Sequence, residues 1–205
     1  MVNKDQTTEE KILAAAREVF HRRGFEGARM QEIADTAGIN KALVHYYFRS
    51  KDNLFASVFT EAISTMMGTV SSIMLGPGTM EEKLQRFYEY HISFLQQNSY
   101  LPWFILNGLY EKPDQIRQLM SQNQFDPERI MAEVTSHLKE EGIEIEDPRQ
   151  MFANILSLSI FPIVARPLLS HFFKLTEPEM EHFYEMRKKT LPGFVMNGIK
   201  AKNAI

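Results

Sequence analysis

Residues 24–54 read GFEGARMQEIADTAGINKALVHYYFRSKDNL, and the architecture of the chain turns on them. Two short helical segments lie here, about 31–37 and 41–49, joined by Ala37-Gly38-Ile39-Asn40. Gly38 allows the left-handed backbone of a tight turn. Ile39 plugs the angle between the two segments, and Asn40 is placed to cap the second. With Val44, Tyr47 and Phe48 turned inward, helical geometry turns Lys41, Ala42, Leu43, His45 and Tyr46 outward. That pattern is a helix-turn-helix, whose second helix can enter a major groove. Ser50-Lys51 then opens the next helix, where a lysine and free backbone N–H groups can share a phosphate.

Charge divides at the same place. Residues 1–51 hold nine basic and seven acidic side chains, for +2, and the remaining residues hold 14 basic and 19 acidic, for −5. The net −3 is therefore no argument against a polyanionic partner, because binding uses the local patch. Composition, at 44% hydrophobic and 24% charged, is that of a globular protein. The absence of cysteine excludes disulfides, thiolate zinc sites, cysteine nucleophiles and thiol redox sensing. No apolar leader opens the sequence and no uninterrupted apolar run reaches about 18 residues, so a cytoplasmic location is expected.

Outside this stretch the chain reads as helix throughout, about nine in all, with no strand-like alternation. Thr7 to Glu10 reads as a capping box opening the first helix, and Gly24 is expected to end it. Ser50 starts a long helix with an apolar stripe from Leu54 to Val70. Gly76-Pro77-Gly78 breaks the chain, and Thr79-x-x-Glu82 caps the next helix. Asp126-Pro127, Asp147-Pro148 and Thr176-x-x-Glu179 are additional start signals. Pro162 and Pro167 should interrupt or kink the apolar run 152–169, and Pro192-Gly193 should break or bend the last helix. The class is all-α. A helix-turn-helix head of residues 1–51 would precede a larger helical body of residues 52–205.

Ile33-Ala34, Ala37-Gly38-Ile39-Asn40, Tyr47-Phe48, Lys51 and Leu54 together resemble the DNA-binding domain of the tetracycline-repressor (TetR) family of transcriptional regulators. The likeness covers about residues 8–55. It implies that Lys41, Ala42, Leu43 and His45 contact bases, with Tyr46 on the same exposed face and Gln31 as a further base contact. It implies phosphate contacts for Tyr47 and Lys51. Leu43 and His45 depart from the Thr and Tyr common in the family, which bears on the operator sequence. Near Ala28-Arg29 the family has a capping Ser or Thr that this chain lacks.

The resemblance also implies a homodimer on a palindromic operator, released by a small molecule held in the body, and no enzymatic activity. Phe87, His91, Trp103, Phe104 and Tyr110 are the residues expected to line an apolar ligand pocket. Plain core packing is the competing reading for each. For dimerisation, Phe152, Ile155, Leu156, Ser159, Ile160 and Ile163 would face Phe183, Met186, Thr190 and Phe194 in a four-helix interface. His137, His171 and His182 are read as having no i, i+4 partner, so no metal or other cofactor is expected. One rival is a small helical enzyme with a DNA-binding head, which requires clustered catalytic groups that the scattered carboxylates do not supply. The other is a DNA-binding or protein-interaction module without a small-molecule ligand.

Overall fold

Helix start signals recur along the whole sequence, and the chain obeys nearly all of them. The computed structural model describes residues 4–111, 113, 114 and 126–201. Among the described residues there are ten helices and no strand. They are α1 (Lys4–Gly27), α2 (Met30–Ala37), α3 (Lys41–Phe48), α4 (Lys51–Leu75), α5 (Met80–Gln97), α6 (Tyr100–Glu111), α7 (Pro127–Glu140), α8 (Pro148–Val164), α9 (Arg166–Phe173) and α10 (Glu177–Ala201).

The caps are built as local chemistry dictates. Thr79 and Glu82 form a reciprocal box, with Thr79 N–H donating to Glu82 Oε2 at 2.9 Å and Glu82 N–H to Thr79 Oγ1 at 3.3 Å. Asp126 and Asp147 each accept a backbone N–H, from Arg129 and Arg149 respectively, with proline in the first turn behind them. At the N-terminus the expectation fails. α1 runs from Lys4, so Thr7 lies inside it; Lys4-Asp5-Gln6 contains neither glycine nor proline to break the helix before Thr7. Gly24 does break the helical path, at φ 67° and ψ 178°, but helical residues resume as far as Gly27.

The chain packs as two units, Met1–Thr65 with Asn98–Asn123, and Met66–Gln97 with Gln124–Ile205. In the first, Ile12, Val19, Phe20, Ile33, Val44, Phe48, Leu54 and Phe55 are buried. Helix α6 belongs to this unit. The centre of its Phe104 ring lies 4.1 Å from that of Phe55, which also meets Phe20 and Phe25 edge-on at 4.9 Å each.

In the second unit α5 packs along α10. Two prolines sit inside helices here, and each leaves the carbonyl four residues before it without its usual donor. Pro162 orphans the Leu158 carbonyl, and Arg187 Nη2 from α10 donates to it at 2.6 Å. Pro192 orphans the Lys188 carbonyl, and Gln85 Nε2 from α5 reaches it at 3.4 Å. Helix α10 therefore stays continuous through Pro192-Gly193, where the sequence pointed to a break or a bend. A bend of 72° comes between α8 and α9, with Pro167 in the first turn of α9, where the sequence pointed to an interruption or kink. Helix α4 is apolar enough by composition to cross a membrane, but its Leu54, Phe55, Val58, Phe59 and Ile63 are buried core.

Two further expectations change. Ile155, Ser159 and Ile163 are buried within their own chain, so they are not available to a partner. Leu156, Met186 and Phe194 remain exposed, as does Phe161, which the expected interface omits. Glu141 stands four residues after His137 and its carboxylate lies 3.1 Å from the ring Nε2, so that histidine does have an i, i+4 partner. The same carboxylate accepts the Met80 N–H at 2.8 Å, joining the end of α7 to the start of α5.

Candidate nucleic-acid interface

The turn between α2 and α3 is made by Gly38, at φ 66° and ψ 33°. Its N–H and that of Ile39 return to the carbonyls of Asp35 and Ala34 at 3.1 and 3.0 Å, closing the end of α2. Asn40 caps α3, with Oδ1 accepting the Ala42 N–H at 2.9 Å. Val44 and Phe48 are buried and Tyr47 is half-buried, so they hold α3 against the head. Lys41, Ala42, Leu43, His45 and Tyr46 form the opposite, exposed face, with Tyr46 78% exposed. Gln31 is exposed as well, and its Nε2 donates to Asp35 Oδ1 at 2.8 Å.

Not every cation of the head is available to a phosphate. Arg22 and Arg23 both pair with Glu32, at 2.8 and 3.3 Å. Partial desolvation pushes the Glu32 carboxyl up, but the hydrogen bonds from these two guanidiniums outweigh it and hold the group below the usual carboxylate range. Arg29, Lys41 and Arg49 carry no ion pair among the described residues.

Lys51 has a role that the sequence did not show. Its Nζ donates to the Phe25 carbonyl at 2.9 Å and to the Glu26 carbonyl at 3.4 Å, and it lies 4.4 Å from the centre of the Phe25 ring. The ammonium thus ties the end of α1 to the start of α4. Nothing in the spacing of two residues 26 positions apart could have revealed it.

Two local features depart from ideal chemistry. Arg29 occupies the N-cap position of α2 with extended backbone and no side-chain cap. We expect Arg29→Ser to raise stability by about 1 kcal/mol, read as a melting temperature higher by roughly 2–4 °C. No change would mean that a serine here leaves the first turn of α2 as unsatisfied as arginine does. At the far end of α3, Arg49 has φ 60° and ψ −44°, and the Ser50 N–H donates to the Phe48 carbonyl at 2.6 Å. This is a γ-turn of the strained kind, centred on a non-glycine residue. Arginine is no turn signal, so nothing in the local sequence announces it.

The five residues expected to line a pocket fall in both units. Phe87 and His91 are buried in the second, with ring centres 4.8 Å apart and His91 Nδ1 2.9 Å from Ser159 Oγ. Phe104 is packed in the first unit against Phe55 and Phe59. Trp103 and Tyr110 are 60% and 89% exposed. They stand two helical turns apart, on one face of α6, and that face points outward; periodicity groups residues but does not say which group turns inward. The second unit does hold an open cleft of about 1250 Å³, lined by Leu158, Phe161, Leu169, Phe173, Phe194 and the Arg187 side chain, among others, and by none of those five.

Residues 12–58 match the family of bacterial regulatory proteins, tetR family. The chain is 26% identical over 184 residues to the probable HTH-type transcriptional regulator YttP of Bacillus subtilis, covering 88% of each. It is 33% identical over 98 residues to the HTH-type transcriptional repressor SCO4008 of Streptomyces coelicolor, covering 48% of this chain and 50% of the other. In fold it is similar to the transcriptional regulator FadR of Bacillus subtilis, solved in complex with stearoyl-CoA, with a TM-score of 0.63 at 18% identity over 89% of this chain and 96% of that one. The capped helix-turn-helix lies within the segment that the family model matches, so residues 12–58 are a helix-turn-helix domain of the tetR family of bacterial regulatory proteins, continued by an all-helical body similar in fold to solved regulators.

Proposed function

We propose that this protein is a cytoplasmic, homodimeric repressor that α3 docks into a palindromic operator and that a small apolar molecule releases. The carrying observation is the exposed face of α3, where Lys41, Leu43, His45 and Tyr46 project while Val44 and Phe48 anchor the helix. Lys41, Ala42, Leu43 and His45, with Gln31 and Tyr46, would meet base edges, and Tyr47 and Lys51 would lie along the phosphates. In this reading the division at residue 51 is one of function: 1–51 reads DNA and 52–205 carries dimerisation and effector binding.

One eight-residue helix makes few contacts, and two-fold pairing doubles them. The exposed apolar side chains of α8 and α10, Leu156, Phe161, Met186 and Phe194, support a partner face there. For the effector, Phe87 and His91, whose Nδ1 meets Ser159 Oγ, are the members of the expected set inside the second unit's core. Fatty acids and their acyl-CoA esters head a panel of test ligands, because a protein of the same fold holds stearoyl-CoA. Effector binding would shift α4, which begins three residues after the end of α3. Any strain reaching α6 would also enter the head, through the contacts of Phe104 with Phe25 and with Phe55, which packs on Phe20.

Selection of bound duplexes from random DNA, with and without the ligand panel, is the test. A palindrome with half-site centres about 34 Å apart is expected. Lys41→Ala should cost about 1–3 kcal/mol of operator affinity. Full affinity retained by a Tyr47→Ala/Lys51→Ala double variant would sink the docking geometry.

A further inference from the structure

His45 projects outward from α3, yet its ring is held from behind. Its Nδ1 lies 3.1 Å from the carbonyl oxygen of Arg49. A carbonyl oxygen only accepts, so this bond places a proton on Nδ1. A neutral imidazole then presents Nε2 as a bare acceptor. The carbonyl stands within reach because of the strained turn at Arg49, whose own N–H donates back to the His45 carbonyl at 2.9 Å. Residue 45 thereby grips both polar groups of residue 49, and the turn in exchange sets the tautomer of the side chain that faces the groove.

We infer that His45 is a specificity residue that accepts a hydrogen bond from an exocyclic amino group in the major groove, adenine N6 or cytosine N4, through Nε2. The inference rests on the docking of α3 into DNA proposed as this protein's function. In the major groove the amino groups are the hydrogen-bond donors, whereas purine N7, guanine O6 and thymine O4 are acceptors that would oppose the Nε2 lone pair. A tyrosine hydroxyl at this place both donates and accepts, so it would not discriminate in this way. The locked histidine does.

The test takes the operator selected by the full-length protein and alters it atom by atom. Purine replaces adenine, or pyrimidin-2-one replaces cytosine, to delete one amino group at a time; 7-deazapurines delete N7 in parallel. At one position per half-site, amino deletion should weaken wild-type binding about tenfold and His45→Ala binding less than about twofold. His45→Gln, which retains an acceptor, should restore sensitivity at that position. Because the side chain and its bond to Arg49 are exposed, the melting temperature of His45→Ala should lie within about 2 °C of the wild type's. If His45→Ala instead abolishes sensitivity to N7 deletion, the ring donates and the inference is wrong. Equal amino sensitivity in both proteins overturns it as well, while leaving the DNA reading intact. A chain that selects no duplex at all overturns both.

Discussion

Phe55→Ala is expected to cost about 3–5 kcal/mol and to lower the melting temperature by roughly 10 °C. Phe55 is 2% exposed and sits where three helices meet. Its ring touches Phe20 and Phe25 from α1, Phe59 from its own helix, and Tyr100 and Phe104 from α6. Truncation to a methyl removes the transfer energy of the ring and leaves a void whose aromatic lining can collapse only in part. Edge-to-face pairs add to the loss. The helix-turn-helix packs on this same first-unit core, so operator binding should weaken in step with stability. Tyr110→Ala is the control: an equally large aromatic is removed from α6, but from a position 89% exposed, and the change should fall within about 0.5 kcal/mol. Similar losses from both variants would show that aromatic content, not the Phe55 cluster, sustains the first unit.

Acid should weaken the second unit through His91. Burial pushes this imidazole down to about 4 from an ordinary value of 6.5. Ser159 Oγ donates to the Leu156 carbonyl at 2.9 Å, which leaves its lone pairs for the His91 Nδ1–H at 2.9 Å and suits a neutral ring. The unfolded chain takes up a proton near pH 6.5 and the folded one only near pH 4. Between those values the unfolded state binds more protons, so the stability contributed is complete above pH 6.5 and falls away as pH drops through 4. At about pH 4.5 the loss should be about 2–3 kcal/mol. Urea unfolding at about pH 7 and about pH 4.5 measures it, with His91→Gln as the comparison. Carboxylate protonation affects both proteins alike, so the wild type should lose about 2–3 kcal/mol more than the variant over that interval. Parallel losses would mean that His91 reaches solvent and protonates in the folded state.

Much of the exposed face of α3 was legible because its causes are local. Gly38, Asn40 and Ser50 are each set by backbone geometry within a few residues, and each does what its chemistry demands. The outward set Lys41, Ala42, Leu43, His45 and Tyr46 follows from helical periodicity once Val44 and Phe48 are turned inward. The pairing of His137 with Glu141 was equally legible at i, i+4, although the expectation for that histidine ran the other way. The pocket set was not legible. Trp103 and Tyr110 share a face, but only the packing of Tyr100, Leu101 and Phe104 into the first unit decides that this face is the solvent side.

Local sequence was enough for the all-helical class, the helix-turn-helix and the sign change of charge at its end. These rest on periodicity, caps and composition, which act over a few residues. Other features exist only once the chain has folded. Lys51 is drawn to the Phe25 and Glu26 carbonyls across 26 residues of chain. Pro162 and Pro192 do not end their helices, because Arg187 and Gln85 arrive from neighbouring helices to satisfy the carbonyls those prolines leave open. The physical reason is common to all of these. A polar group must be satisfied wherever burial removes water, and the partner can come from any point in the sequence that the fold brings near.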